Sequence, residues 1–192
     1  MSTPTGIAVV LPIKSFSAAK ARLADALSPD ARRQLARRCA DAVFAAAGTL
    51  PIFVVCDDAE VTAWATQHGA KVVTPTQPGL NHAADAGRLA ARDAGFARVL
   101  VVHSDLPNAE HLATLADEPT DVVIVPDRHS QGTNALLLPA DGIFTFHYGL
   151  HSYDAHCSEA RLRGLSLCVV QRPDLALDLD TPDDLRVAGL LP

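Results

Sequence analysis

The segment Ile7-Ala8-Val9-Val10-Leu11-Pro12-Ile13 decides the fold class of this 192-residue chain. A continuous apolar run of this kind is typical of a strand that is buried on both faces of a largely parallel sheet. Similar runs predict six further strands, at residues 52–56, 71–73, 98–102, 121–125, 135–138 and 165–170. Helices are predicted from Pro29 to about Ala47, after Asp58 to about His68, from Asn81 to near Gly95, from about Ser152 to Arg163, and briefly from Pro182.

This alternation of strands and helices predicts an α/β domain of three layers with a mostly parallel, mixed sheet. We find no linker-like stretch, and therefore expect a single domain over residues 1–192. In such sheets, ligands bind beyond the carboxyl ends of the strands. The side chains that follow the predicted strands are therefore the first candidates for a functional site.

The composition narrows the class of protein. A net charge of −6 argues against general nucleic-acid binding, and no apolar run is long enough for a membrane span. Residues 1–6 lack the charged-then-apolar layout of a signal peptide. The four cysteines are widely spaced without a Cys-x-x-Cys pair, which predicts reduced, mostly buried thiols and a cytoplasmic setting.

Four acids crowd the segment from Leu177 to Leu185, and helix-capping rules explain two of them. Thr181 is a favourable N-cap and Pro182 suits the first helical position. Acids in the first turn of a helix interact favourably with its positive end. Asp183 and Asp184 therefore have a sufficient structural role at the start of a helix.

The other two acids, Asp178 and Asp180, alternate with leucines and would point to one face of an extended strand. Carboxylates about 6–7 Å apart repel by about 2.5 kcal/mol at an effective dielectric near 20. Such a pair suits either a solvated strand end or a bound cation. Asp105 follows the strand 98–102 at the same predicted sheet edge, and three carboxylates there would suit Mg²⁺ with substrate phosphates.

A basic loop follows the first strand and contains Lys14, Lys20 and Arg22 without any acid from Lys14 to Leu23. It lacks the Gly-x-Gly-x-x-Gly and Walker patterns, so phosphate binding would depend on side chains. Arginine matches phosphate oxygens bidentately, and lysine serves as a point charge. A solvated turn is the alternative interpretation.

Two segments offer hydroxyl and backbone groups to an anion. Gly132 and Thr133 precede a predicted strand, while Gly149 and Ser152 precede a helix whose N-terminus is a natural phosphate site. A zinc site is the alternative, but its spacing matches no known zinc pattern; its ligands would be His147, His151, His156 and Cys157.

Six blocks, taken in order, resemble the 2-phospho-L-lactate guanylyltransferase family over nearly the whole chain. They are Pro12-x-Lys14 with Lys20-x-Arg22-Leu23, Leu80-Asn81, Asp105-Leu106-Pro107, Gly132-Thr133-Asn134-Ala135-Leu136, Phe146-x-Tyr148-Gly149-x-x-Ser152-x-x-x-His156 and Asp178-x-Asp180-x-Pro182-x-Asp184-Leu185. That family includes bacterial phosphoenolpyruvate guanylyltransferases, which make the precursor of the deazaflavin coenzyme factor 420.

The resemblance implies a nucleotidyltransferase fold (GT-A-like, Rossmann-like), with GTP as co-substrate and Mg²⁺ as cofactor. It implies that the carboxylates of Asp105, Asp178 and Asp180 bind the metal. It implies that the GTP is bound by Lys14, Lys20, Arg22 and Asn81, with Lys14, Arg22 and Asp105 in catalysis, and that the phospho-acid is bound by Thr133, Gly149 and Ser152. Gln131 stands where the family often has a glycine, which bears on the acid that is accepted.

The expected reaction transfers GMP to phosphoenolpyruvate, 2-phospho-L-lactate or 3-phosphoglycerate and releases pyrophosphate. The expected partner is a downstream phospho-acid transferase that carries the deazaflavin acceptor. The alternatives are a nucleotidyltransferase of the molybdenum-cofactor or sugar-phosphate type, a glycosyltransferase, or a non-catalytic GTP-binding regulator. One or several metal ions, and a monomer or a homodimer, are all compatible with the sequence.

Overall fold

A seven-stranded sheet forms the centre of the computed structural model, which describes residues 6–190. Residues 1–5, most of the segment considered for a signal peptide, lie outside the described residues, as do residues 191 and 192. The strands are β1 (Ile7–Pro12), β2 (Ile52–Val55), β3 (Lys71–Val73), β4 (Arg98–Val102), β5 (Val122–Pro126), β6 (Thr133–Pro139) and β7 (Leu167–Val169). The helices are α1 (Pro29–Ala46), α2 (Ala59–Gln67), α3 (Leu80–Asp93), α4 (Ser152–Leu162), α5 (Pro173–Ala176) and α6 (Pro182–Val187).

The strand order is β3-β2-β1-β4-β6-β5-β7. The strands β3, β2, β1 and β4 run parallel, β6 is antiparallel to both of its neighbours, and β5 pairs with β7 in parallel. This arrangement confirms the predicted mostly parallel, mixed sheet. Because β6 is reversed, its first residue, Thr133, lies at the same sheet edge as the carboxyl ends of β1 and β4.

Alternate residues of β1 enter two different apolar layers, as expected for a strand covered on both faces. Val9 and Leu11 pack with α1 and α2, whereas Ala8 and Val10 pack beneath α3. Gly87 of α3 lies directly over Val10, where any Cβ atom would overlap the valine side chain. The absence of a side chain at Gly87 is therefore what lets α3 approach the sheet closely.

The predicted capping interactions at α6 are confirmed. The Thr181 side chain accepts a hydrogen bond from the Asp184 backbone, and the Asp184 carboxylate accepts one from the Thr181 backbone at 2.7 Å. Asp183 forms an ion pair with Arg128 at 2.8 Å, and Asp184 forms another at 2.7 Å. Both acids therefore stabilise the start of α6 and the loop beside it.

The prediction of a strand at residues 177–180 is wrong. These residues form an irregular segment between α5 and α6, and a hydrogen bond of 3.2 Å joins the Leu179 amide to the carbonyl of Asp105, three residues after the end of β4. Leu177 and Leu179 are nevertheless buried, as the alternation predicted, in a cluster with Leu23 and Leu185. The helix α5 and a 3-10 helix at Leu112–Asp117 were not predicted.

The four cysteines all carry free thiols, and three of them are buried. This agrees with the predicted reduced, mostly buried thiols. Among residues 6–190, the helices are each too short or too polar to cross a bilayer.

Candidate active site

Three carboxylates meet at the carboxyl edge of the parallel strands. Asp105 follows β4, and Asp178 and Asp180 belong to the irregular segment before α6. One oxygen atom from each carboxylate lies within 4.8 Å of the others. Burial of Leu177 and Leu179 forces the intervening acids to the opposite side, and the Leu179–Asp105 hydrogen bond brings that side to the end of β4.

Lys20 is inserted into this carboxylate group. Its ammonium lies 2.8 Å from Asp105 Oδ2 and 3.4 Å from Asp180 Oδ1, and its side chain is only 4% exposed. Its backbone is left-handed, with φ of 59°. Burial alone would lower the pKa of Lys20, but the charge and hydrogen bond of Asp105 outweigh it and raise the pKa above the ordinary value.

The acids respond differently to this single buried ammonium. Burial opposes ionisation of Asp105, but Lys20 holds its pKa below the usual range. Asp178 lacks such a contact, and burial together with Asp105 and Asp180 raises its pKa. Arg22 lies 3.5 Å from Asp180 Oδ2, but it is 76% exposed and is therefore screened by solvent.

The donor set fits a divalent cation. Asp105 Oδ1 is buried and has no hydrogen-bond partner among the described residues. Three carboxylates against one buried ammonium leave a local excess of negative charge, which is costly without a further cation. Carboxylate oxygens are the ligands that Mg²⁺ prefers. Asp105, Asp178 and Asp180 are thus suited to hold a metal ion, in keeping with the prediction.

A cavity of about 460 Å³ opens beside the carboxylates, between the end of β2 and the start of α3. Its volume falls in the range of small-molecule sites, and much of its wall is apolar. Lys14 lines this cavity and a second one of about 220 Å³, which also contacts Lys20. The predicted phosphate ligands Lys14 and Lys20 therefore lie where the two cavities meet the acids, and their binding of GTP stays a prediction.

Asn81 lies at the start of α3, but its observed contacts are with protein backbone. Its Oδ1 accepts a hydrogen bond from the Tyr148 amide at 2.6 Å, and its Nδ2 donates one to the Tyr148 carbonyl at 3.2 Å. These two bonds hold the backbone next to Gly149, whose φ of 134° suits glycine. Contact between Asn81 and the nucleotide stays a prediction.

Thr133 and Ser152 lie together beneath the Gly149 segment. The Thr133 amide donates to Ser152 Oγ at 3.1 Å, and the Thr133 hydroxyl pairs with His156 Nδ1 at 3.0 Å. The His147 amide donates to His156 Nε2 at 2.9 Å. The buried imidazole therefore links β6 and α4 to the irregular segment of residues 143–148, here called the aromatic loop. Burial lowers the pKa of His156 to about 3, which keeps this ring neutral.

The Gly132 and Thr133 amides are paired within the protein in this structure, and their contact with an anion stays a prediction. The Gly132 amide donates to Asp127 Oδ2 at 2.8 Å, and the Thr133 amide is bonded to Ser152. A Cβ at position 132 would lie 2.7 Å from the same Asp127 oxygen, so a larger residue there would displace the Asp127 carboxylate that holds this loop. The Gln131 amide also donates to Asp127, at 2.9 Å, which fixes the loop where the family often has a second glycine.

Two aromatic residues join the carboxylates to the Thr133–Ser152 pair. The rings of His103 and Tyr148 have centroids 5.3 Å apart, and those of Tyr148 and His156 are 4.8 Å apart. The Tyr148 hydroxyl and His103 Nε2 are buried without a hydrogen-bond partner among the described residues. Neither side chain was predicted as a site residue, because no local sequence pattern marks a buried polar atom that lacks a partner.

Comparisons with known proteins agree with the geometry. The family model described as "Guanylyl transferase CofC like" matches residues 7–188. The phosphoenolpyruvate guanylyltransferase of Sphaerobacter thermophilus is 38% identical, with 98% of this chain and 95% of that protein covered. The protein of the same name from Rubrobacter xylanophilus is 36% identical, with 92% and 90% covered.

Among solved structures, a nucleotidyl transferase from Methanothermobacter thermautotroptrophicus superposes with a TM-score of 0.66 at 18% identity. The match covers 98% of this chain and 97% of that chain. At this identity the likeness concerns the fold alone, and it confirms the predicted nucleotidyltransferase fold.

Proposed function

The chain belongs to the CofC-like guanylyltransferase family and is a nucleotidyltransferase, and from this we propose that it transfers GMP from GTP to phosphoenolpyruvate. Pyrophosphate is the second product of the proposed reaction. The convergence of Asp105, Asp178 and Asp180 beside a cavity of small-molecule size is the observation that carries the proposal. Phosphoenolpyruvate is proposed as the acceptor because the similar proteins are phosphoenolpyruvate guanylyltransferases.

The proposed reaction is an in-line displacement at phosphorus. A phosphate oxygen of phosphoenolpyruvate forms a bond to the α-phosphorus of GTP. The bond from that phosphorus to the oxygen that bridges the α- and β-phosphates breaks. Pyrophosphate leaves with the bonding electron pair. Because the attacking phosphate is anionic at neutral pH, the step needs no strong general base, and its rate depends on positioning and on charge neutralisation.

Lys14, Lys20 and Arg22 provide the positive charge on the protein side of this reaction. Lys14 borders both cavities, Lys20 lies among the carboxylates, and Arg22 extends outward near Asp180. We assign them to the GTP phosphates. Asp105, Asp178 and Asp180 would hold Mg²⁺, which when bound neutralises phosphate charge and favours departure of pyrophosphate.

Thr133, Gly149 and Ser152 are the proposed contacts to the phospho-acid. The hydroxyl side chains of Thr133 and Ser152 are buried, so the backbone near Gly149 must move before they can contact the acid directly. Asn81 anchors the adjacent Tyr148 backbone and limits how far that segment moves. The acid would then lie on the Tyr148 side of the carboxylates, next to His103.

We further propose that the product is consumed by a phospho-acid transferase that carries the deazaflavin acceptor, in the synthesis of factor 420. The four free thiols support the cytoplasmic setting predicted from the sequence. This part of the proposal depends on the family resemblance, which the family membership supports.

Product identification in a coupled reaction tests the proposal. The purified protein, GTP, Mg²⁺ and the downstream transferase are incubated with phosphoenolpyruvate, 2-phospho-L-lactate or 3-phosphoglycerate in parallel, and products are identified by mass spectrometry. We expect pyrophosphate and a conjugated deazaflavin product, with the highest rate for phosphoenolpyruvate. Faster turnover of another acid would show that this acid, and not phosphoenolpyruvate, is the preferred acceptor. Failure of all three acids, with turnover of a sugar phosphate, would reject the assignment.

A further inference from the structure

Lys20 occupies the place among the carboxylates where a metal ion would reduce the same repulsion. Its ammonium contacts Asp105 at 2.8 Å and Asp180 at 3.4 Å, and it is almost completely enclosed. Its left-handed backbone is uncommon for a residue other than glycine. The segment 14–23 therefore adopts a conformation that aims this lysine inward.

A divalent cation and this ammonium compete for the same negative charge. Both would neutralise Asp105 and Asp180, and like charges placed together within one carboxylate group repel strongly. Lys20 has an alternative position within reach, because the cavity of about 220 Å³ that it lines also contacts Lys14 and joins the carboxylates. Its flexible four-carbon stem lets the ammonium move while its Cα stays in place.

We propose that Lys20 is a positioning residue with two positions. In the free protein it acts as the counter-ion of Asp105 and Asp180, and it moves to the GTP phosphates when the three carboxylates take up a divalent cation. The inference rests on the proposed function, since it assigns the second position to GTP. It predicts that the free protein binds metal weakly, and that metal and nucleotide strengthen each other's binding by the same factor.

Metal binding without nucleotide tests this competition directly. Mn²⁺ alone is titrated into metal-free protein, and the free ion is measured by electron paramagnetic resonance. We expect Lys20→Met to bind Mn²⁺ about tenfold more tightly than the wild type, within the usual range of coupling between sites. Unchanged or weaker binding in Lys20→Met would overturn the proposal.

Arg22→Met is the matched control, because it also removes a positive charge near Asp180 but from an exposed side chain. If only the general loss of charge mattered, both variants would gain affinity equally, and the displacement would be rejected. We expect Arg22→Met to change the Mn²⁺ affinity by less than about threefold, as for solvent-screened charges.

A second measurement uses the wild type and so does not depend on the folding of a variant. The chain has three lysines, Lys14, Lys20 and Lys71, so labelling of each amine by an amine-reactive reagent is easily resolved by mass spectrometry. We expect Lys20 to be protected in the metal-free protein and to react faster at saturating Mn²⁺, while Lys71 is unchanged. Continued protection of Lys20 with Mn²⁺ bound would overturn the movement.

Failure of this inference and failure of the proposed function give different results. Neither Mn²⁺ experiment contains GTP or a phospho-acid, so both can succeed if the acceptor assignment is wrong. Conversely, the wild type could turn over phosphoenolpyruvate in the coupled reaction while Lys20→Met shows unchanged Mn²⁺ affinity. That result would reject the two positions of Lys20 and leave the proposed function intact.

Discussion

Replacing Lys20 with methionine should cost the metal-free protein a large share of its stability. The substitution keeps most of the length and packing of the side chain but leaves the partly buried Asp105 without its cation and close to two other acids. Removing one member of a buried ion pair typically costs about 3–5 kcal/mol. Because Asp105 is 23% exposed and Asp180 is 43% exposed, we take the lower end, about 3 kcal/mol.

This loss is large enough to appear in simple thermal unfolding. For a chain of this size, 1 kcal/mol shifts Tm by about 2–4 °C, so Lys20→Met should unfold about 6–12 °C below the wild type. Circular dichroism at pH 7 in a chelator measures the difference. Lys14→Met makes the same chemical change at an exposed site and should shift stability by less than about 0.5 kcal/mol.

The pH dependence of this loss follows from the pKa of Asp105. In the wild type that pKa is depressed, so the ion pair stabilises the fold above the unfolded carboxyl value of about 3.9 and is lost as pH falls through the folded value. In Lys20→Met, burial and the neighbouring carboxylates favour the protonated form of Asp105. Lowering the pH therefore stabilises the variant relative to the wild type. The difference in Tm should therefore narrow from pH 7 towards pH 4. Equal Tm values at pH 7, or a difference that widens in acid, would refute the reasoning.

Two further substitutions test the packing around the site. Gly87→Ala should destabilise the protein by about 1–3 kcal/mol in urea unfolding, although alanine favours helix, because the new Cβ presses on Val10; an unchanged midpoint would contradict that close approach. Asn81→Ala leaves the part-buried Tyr148 amide unpaired and should cost about 1–2 kcal/mol. It should also raise KM for the phospho-acid more than KM for GTP, and the opposite order would favour a nucleotide contact for Asn81.

Much of the fold could be predicted from local patterns. The apolar run of β1, the helix start at Pro29 and the capping signal Thr181-Pro182 depend on neighbouring residues, and the structure confirms each of them. The irregular segment 177–180 shows the limit of such patterns. Alternating burial is shared by a sheet strand and by an extended loop, and only backbone pairing with a neighbouring strand distinguishes them. Segment 177–180 is not paired with any of the seven described strands.

The site was harder to predict from the sequence than the fold, because contacts between distant residues set the orientations of its side chains. The three carboxylates could be proposed because their crowding is unfavourable without a cation and because strand ends converge. The orientation of the Lys20 side chain depends on its contacts with Asp105 and Asp180. These residues lie 85 and 160 positions later in the chain, so no local sequence pattern records the contacts. The same holds for His156, whose two ring nitrogens are shared between the aromatic loop and β6.

Pyrophosphate release by a matched pair of aspartate variants tests the central claim most directly. Asp178→Asn removes a charge from the proposed metal site, whereas Asp183→Asn removes one five residues later from an exposed ion pair with Arg128. With GTP, phosphoenolpyruvate and Mg²⁺, we predict that Asp178→Asn loses most of its turnover while it folds normally, and that Asp183→Asn retains the wild-type rate. Near-wild-type pyrophosphate release by folded Asp178→Asn would contradict the assignment of the carboxylates to the metal.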